Sequence, residues 1–129
     1  MEDRFSKGLA VRKKVLGEAP VSQRVSASHG ELNADLQKFL TEFAWGDIWS
    51  RPQLGLRERS IATIAMLTAL NRSTELKTHI EGALNNGVSL EEVAEVFLHS
   101  AVYCGFPAAM TSMRIAREVA ASRLAQTGN

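Results

Sequence analysis

Hydrophobic residues recur at intervals of three and four along every long segment of the chain, rather than at intervals of two. This spacing places apolar side chains on one face of a helix, whereas a half-buried strand alternates apolar and polar positions. The pattern therefore predicts an all-α fold. We expect about six helices, which begin near Asp3, Glu31, Arg57, Ser73, Ser89 and Pro107.

Two predicted helices are defined by their apolar residues. The second carries one stripe, formed by Leu32, Leu36, Phe39, Leu40 and Phe43. It is predicted to end near Ala44, because Gly46 and Pro52 favour an irregular connection. The third, over 57–70, is apolar on most sides after its first turn, which is typical of a central helix enclosed by others.

Short-range signals mark several helix ends. Gly17 is expected to end the first helix, and residues 18–28 are expected to form a loop. Ser73 or Thr74 can cap the fourth helix. The "SLEE" stretch at 89–92 has the form of a capping box at the start of the fifth.

Composition narrows the class of protein. A chain of 129 residues with 45% apolar residues predicts one globular domain over residues 1–129. The net charge is +1 and no block of lysine or arginine occurs, which argues against a nucleic-acid partner. The longest apolar stretch, "IATIAMLTAL" at 61–70, has about half of the ~20 residues that a membrane helix needs.

Cysteine usage and the amino-terminal segment predict a cytoplasmic location. The first residues include acidic side chains and lack the apolar core of a secretory signal. Cys104 is the single cysteine, so no internal disulfide can form, and we expect it to be a buried packing residue rather than a nucleophile.

One helix carries candidate chemistry. Arg72, Glu75 and His79 are spaced so that they lie along one stripe of the fourth helix. Histidine transfers protons near neutral pH, a carboxylate one turn away can orient its ring, and arginine binds carboxylates. The alternative is an ordinary surface ion network, since such pairs are common on helices.

A second group of candidates follows the second helix. Trp45, Trp49 and Arg51 could form a wall and a cation for a flat anionic ligand, although both indoles could equally lock a core edge or a subunit contact. Glu58 and Arg59 open the third helix, where capping and salt bridging are the alternative roles.

The other histidines favour structural roles. His99 lies beside Phe97 in the fifth helix and is expected to be a packing residue, and His29 is expected to cap a helix or to be exposed. One His and one Glu supply only two ligands, so no metal site is expected.

The sequence as a whole resembles the carboxymuconolactone decarboxylase family. The similar stretches are "FAWGDIWSRPQL" at 43–54, "RERSIATIAMLTAL" at 57–70, "LKTHIEGALNNGVSLEEVAEVFLHSAVYCGFPAA" at 76–109 and "RIAREV" at 114–119. The related alkylhydroperoxidase-D-like proteins carry a CxxC motif shortly before a helical histidine. Arg72 and Glu75 stand at those two cysteine positions here, which excludes peroxidase chemistry because no thiolate pair remains.

The resemblance implies an alkylhydroperoxidase-D-like fold and a cofactor-independent decarboxylation of 4-carboxymuconolactone in protocatechuate catabolism. It implies that His79 and Glu75 are catalytic and that the lactone dicarboxylate is bound by Arg51, Arg59, Arg72, Trp45 and Trp49. It also implies a homo-oligomer, either a trimer or a hexamer. Two alternatives stay open: a homologue acting on a different lactone or β-keto acid, and a non-catalytic oligomeric binding protein.

Overall fold

The computed structural model describes residues 3–28, 30 and 32–127, and this part of the chain is helical without any strand. The all-α prediction is therefore confirmed. The helices are α1 (Arg4–Leu16), α2 (Glu18–Ser28), α3 (Ala34–Phe39), a π-helix (Leu40–Ile48), α4 (Leu56–Leu70), α5 (Ser73–Asn85), α6 (Leu90–Cys104) and α7 (Phe106–Thr127). His29, for which a cap or an exposed position was expected, lies outside the described residues.

The chain divides into two compact units, Met1–Leu56 and Arg57–Asn129. The first unit contains α1, α2, α3 and the π-helix, and the second contains nearly all of α4 and the whole of α5 to α7. The single domain expected over residues 1–129 stays a prediction, and each unit is described by itself.

Local sequence signals account for both ends of α1 but not for the structure of residues 18–28. The side chain of Asp3 caps α1 by accepting a hydrogen bond from the Ser6 backbone N–H, and Gly17 ends the helix at φ 97° as expected. The loop predicted over 18–28 is wrong, because these residues form α2. Pro20 lies in the first turn of α2, where its missing N–H costs no helical hydrogen bond.

The core of the first unit contains Val15, Leu16, Val21 and Trp45. Next to it lies a buried arginine, Arg12, whose guanidinium donates to Thr41 Oγ1 at 3.2 Å and to Gln37 Oε1 at 3.0 Å. Burial, and then the nearby Arg24, lowers the pKa of Arg12. These hydrogen bonds tie α1 to the end of α3 and to the start of the π-helix.

An irregular connection is predicted after Ala44, and this prediction is wrong for residues 45–48. The helix continues through Ile48 as a π-helix, in which the backbone N–H of Trp49 donates to the carbonyl of Ala44 at 2.8 Å. The apolar stripe predicted for the second helix is also not buried in this chain. Its five members are all exposed, including Phe43 at 60%.

The second unit packs α4 to α7 around one apolar core. Its fully or almost fully buried members are Ile64, Leu76, Ile80, Ala83, Val88, Val93, Phe97, Ile115, Ala116 and Val119. A buried hydrogen bond of 2.9 Å between Thr68 Oγ1 and Ser112 Oγ joins α4 to α7. Leu76, Ile80 and Ala83 form the face of α5 that packs into this core.

Helix starts in the second unit mostly agree with the sequence signals. Both hydrogen bonds of the capping box between Ser89 and Glu92 are present, and Pro107 lies in the first turn of α7. The predicted cap of α5 is wrong. Ser73 and Thr74 lie inside the helix, and Arg72 occupies the N-cap position without a side-chain capping bond.

Helix α4 is not enclosed on most sides within this chain, contrary to expectation, since Met66 and Leu70 are exposed. Cys104 is also exposed rather than buried. Further exposed apolar side chains lie on α6 and α7: Leu98, Val102, Tyr103, Phe106 and Met110. No helix among the described residues is long and apolar enough to cross a membrane.

Candidate functional site

The π-helix positions the two tryptophans of the first unit. Trp45 is 3% exposed and belongs to the core, and its ring stacks on that of Trp49 with centroids 4.6 Å apart and planes inclined by 28°. Trp49 is half-buried. Trp45 therefore has the packing role that was the alternative for both indoles, whereas Trp49 reaches the surface of a cavity.

This cavity has a volume of about 330 Å³ and lies entirely within the first unit. Its lining residues are Val11, Lys14, Trp49, Ser50, Arg51, Pro52, Leu54, Gly55 and Leu56. Most of these side chains are apolar, and the two charged ones, Lys14 and Arg51, are both cations. The structure thus brings Trp49 and Arg51 to one cavity, as their sequence proximity suggested, and adds a lysine from α1.

Lys14 was not among the residues selected from the sequence. It lies in the last turn of α1, where a lysine is expected simply because a cation stabilises the carboxyl end of a helix. Its position in the lining of the cavity depends on the packing of α1 against the segment after the π-helix, and no local sequence signal encodes that packing.

In the second unit, α5 carries two of the three candidates Arg72, Glu75 and His79. Glu75 is exposed in the first turn, and His79 follows one turn later, half-buried and with its Nδ1 atom buried. Such a position suits an imidazole that is partly sheltered from water and still accessible from one side.

Arg72 departs from the predicted stripe. Its backbone has φ −103° and ψ 78°, so the residue precedes the helix and its side chain is exposed. No ion pair joins Arg72 to Glu75. The surface ion network that was the alternative interpretation is therefore absent between these two residues.

The start of α4 carries the remaining arginine candidate. Arg59 is half-buried and its Nε atom is buried, whereas its neighbour Glu58 is exposed and lies 3.7 Å from Arg57. Arg57 also pairs with Glu92 of the capping box. The backbone N–H of Ser89 and then the guanidinium of Arg57 lower the pKa of Glu92. The salt-bridging alternative thus applies to Glu58, while Arg59 stays a candidate for ligand binding.

A second cavity, of about 380 Å³, lies between α4 and α6. His99 lines it together with Glu92 and Glu95, and the histidine ring is 5.3 Å from that of Tyr103. The packing role expected for His99 is wrong, since the residue is exposed. Within residues 3–28, 30 and 32–127, no three His, Cys, Asp or Glu side chains are grouped so that they could hold a metal ion.

Comparison with known proteins identifies the family. Residues 34–118 match the carboxymuconolactone decarboxylase family. A 4-carboxymuconolactone decarboxylase of Acinetobacter baylyi is 44% identical over 118 residues, which cover 92% of this chain and 87% of that protein. A nitrosuccinic acid decarboxylase of Metarhizium robertsii is 37% identical over 114 residues, covering 88% and 79%. The chain therefore belongs to the carboxymuconolactone decarboxylase family.

Proposed function

We propose that the chain is a 4-carboxymuconolactone decarboxylase that works without a cofactor and yields β-ketoadipate enol-lactone and CO2 in protocatechuate catabolism. The observation that carries this proposal is the 44% identity, over 92% of the chain, to a relative of that name. The cationic cavity of the first unit supports an anionic substrate, because its charged lining residues are Lys14 and Arg51.

The substrate can supply its own electron sink. When the bond between the ring and its carboxylate breaks, the electron pair moves through the ring double bond to the lactone carbonyl and CO2 leaves. The resulting dienolate takes one proton at the carbon next to that carbonyl. The protein must therefore bind two carboxylates, stabilise charge on the lactone oxygen and deliver a proton.

The proposal gives the proton transfer to His79. Its half-buried ring can keep its proton away from bulk water, and Glu75, one turn earlier on α5, is assigned to orient it. Both assignments rest on the helical spacing and on the family resemblance.

Substrate binding is assigned to the arginines and tryptophans. Arg51 and Trp49 have the strongest support, since both line the cavity, and Arg59 is half-buried at the start of α4. Trp45 acts through its stack on Trp49, which fixes that ring. Arg72 has the weakest support, because it is exposed before the first turn of α5.

A second candidate is decarboxylation of a different acid. The Metarhizium robertsii relative is named for nitrosuccinic acid, which is not a lactone. A nitro group can also accept the electron pair that CO2 leaves behind, so the same scaffold could serve another substrate of this type. A non-catalytic binding protein is the third alternative.

We also propose that the protein is a cytoplasmic homo-oligomer, either a trimer or a hexamer. The exposed apolar side chains support the oligomer, because contiguous apolar surface on a protein commonly marks an interface. They form one group on α3 and the π-helix (Leu36, Phe39, Leu40 and Phe43) and another on α6 and α7 (Leu98, Val102, Tyr103, Phe106 and Met110). The lone Cys104 is compatible with a reducing compartment.

The test is CO2 release by the purified protein from 4-carboxymuconolactone and from nitrosuccinate, each measured as kcat/KM. The proposal expects the lactone to be preferred at least tenfold. A preference for nitrosuccinate would favour the second candidate, and a folded protein that binds the lactone without releasing CO2 would favour the binding protein.

A further inference from the structure

The charged residues that line the cavity of the first unit are all of one sign, whereas the chain as a whole carries acids and bases in nearly equal numbers. The chain has 15 lysines and arginines and 14 aspartates and glutamates, yet no acid is among the residues that line this cavity. Two cations, Lys14 from α1 and Arg51 from the segment after the π-helix, share the lining. Both charged side chains of the lining are therefore of the sign that attracts an anion.

Lys14 differs from the lysine next to it in sequence. Lys13 lies 4.0 Å from Glu18 in an ion pair, and it does not line the cavity. Lys14 is in no ion pair with any residue of 3–28 or 32–127. Both lysines lie in the last turn of α1, where either cation stabilises that helix end. Stabilising the helix therefore does not explain why Lys14 faces the cavity.

The rest of the lining suits a small organic anion. Trp49, Val11 and Leu56 supply apolar surface, and a volume of about 330 Å³ is at the lower end of the range of about 300–1,000 Å³ for small-molecule sites. Apolar walls with a few charged groups are the usual construction of such sites, in which the charged groups fix the orientation of the ligand.

We propose that Lys14, together with Arg51, binds the carboxylate that the substrate keeps, rather than the carboxylate that leaves as CO2. This inference rests on the proposed decarboxylation. A cation on the leaving carboxylate would stabilise the substrate more than the transition state, because that charge moves away during the reaction, and it would lower kcat. A cation on the retained carboxylate binds the substrate, the transition state and the product alike, and so it lowers KM without changing kcat.

The product distinguishes the two carboxylates, because the enol-lactone has only the retained one. In the Lys14→Gln variant, we expect KM for 4-carboxymuconolactone to rise about tenfold. The inhibition constant of freshly generated enol-lactone should rise by the same factor. The value of kcat should change less than about twofold. Lys14→Arg, which keeps the charge, should restore both constants.

The matched control is Lys13→Gln, which removes a charge from the same helix turn outside the cavity. It should leave KM and the inhibition constant at their wild-type values. Circular dichroism and the thermal midpoint of Lys14→Gln show that the variant is folded before its kinetics are compared.

Four results would overturn the inference. Unchanged kcat and KM in Lys14→Gln would remove the lysine from the site, while the proposed function stands. A raised KM with an unchanged inhibition constant would assign Lys14 to the leaving carboxylate, and a loss confined to kcat would assign it to the reacting centre. Wild-type protein that releases no CO2 from the lactone would contradict the proposed function and this inference together.

Discussion

Gly8 of α1 and Gly46 of the π-helix meet backbone to backbone. A Cβ atom on Gly8 would lie 1.9 Å from the carbonyl oxygen of Thr41 and 2.9 Å from the backbone nitrogen of Gly46, and a Cβ on Gly46 would lie 2.8 Å from the carbonyl oxygen of Arg4. These three neighbouring atoms all belong to the backbone, so they cannot move aside as the end of a flexible side chain could. The pair therefore sets how closely α1 approaches the helix that carries Trp45.

Gly8→Ala should destabilise the protein by roughly 1–3 kcal/mol or more, because the added methyl group forces two helix backbones apart. Urea unfolding followed by circular dichroism measures the loss. Lys7→Ala, at the neighbouring exposed position of α1, is the control and should change the free energy of unfolding by less than about 0.5 kcal/mol. Equal stability of Gly8→Ala and wild type would show that α1 and the π-helix are not in close contact.

His79→Gln should lower kcat by about 10²–10⁴-fold and change KM much less, since general acid catalysis contributes about that factor to the transition state alone. Steady-state kinetics with 4-carboxymuconolactone measure both constants. Lys77→Gln, an exposed charge change on the same helix, is the control and should keep wild-type kinetics. Wild-type kcat in a folded His79→Gln protein would refute the proton-donor role.

Acid should lower the free energy of unfolding partly by protonating Glu92. The backbone N–H of Ser89 and then Arg57 lower the pKa of this carboxyl below its usual value of 4.5. Because the folded-state pKa is the lower one, the stabilisation is complete above about pH 4.5 and is lost as the pH falls through the folded-state pKa. The free energy of unfolding should therefore fall less between pH 7 and pH 3 in Glu92→Gln than in wild type.

Urea unfolding at the two pH values measures this difference. Glu91→Gln removes an adjacent exposed carboxylate that lies in no ion pair, which makes it the matched control. An identical pH dependence of the free energy of unfolding in wild type and Glu92→Gln would mean that the charge of Glu92 does not stabilise the fold through the capping box or the Arg57 ion pair.

Phe43→Glu should reduce the size of the assembly. Phe43 is 60% exposed in the single chain and belongs to the apolar group on α3 and the π-helix, so a charge there would be buried without a partner in an interface. Sedimentation velocity compares the masses of the variant and wild type. Leu124→Glu, an exposed apolar position near the end of α7, is the control. A monomeric wild-type protein would contradict the proposed oligomer outright.

Local sequence signals predicted those features that depend on a few neighbouring residues. Gly17 ends α1, and Ser89 with Glu92 starts α6, because each signal acts through backbone groups within one turn. The loop predicted over 18–28 is wrong, and Pro20 does not prevent a helix there, since proline is typical of the first turn of a helix as well as of loops.

Features that depend on tertiary contacts were missed. The π-helix packs against α1 through the close approach of Gly8 and Gly46, which are far apart in sequence. The site prediction placed Trp49 and Arg51 at one cavity but omitted Lys14, because only the folded first unit brings α1 to that cavity. Cys104, which is expected to be buried, and Phe43, which belongs to the predicted apolar stripe, are both exposed, because the sequence does not show which apolar side chains the single chain encloses.

The most direct test of the central claim is an ultraviolet assay of the purified wild-type protein with freshly generated 4-carboxymuconolactone in the presence of a metal chelator. We expect enol-lactone and CO2 to form in equal amounts, at a rate that the chelator does not change. A folded protein that leaves the lactone intact would contradict the decarboxylase assignment, and turnover that the chelator abolishes would contradict the cofactor-independent mechanism.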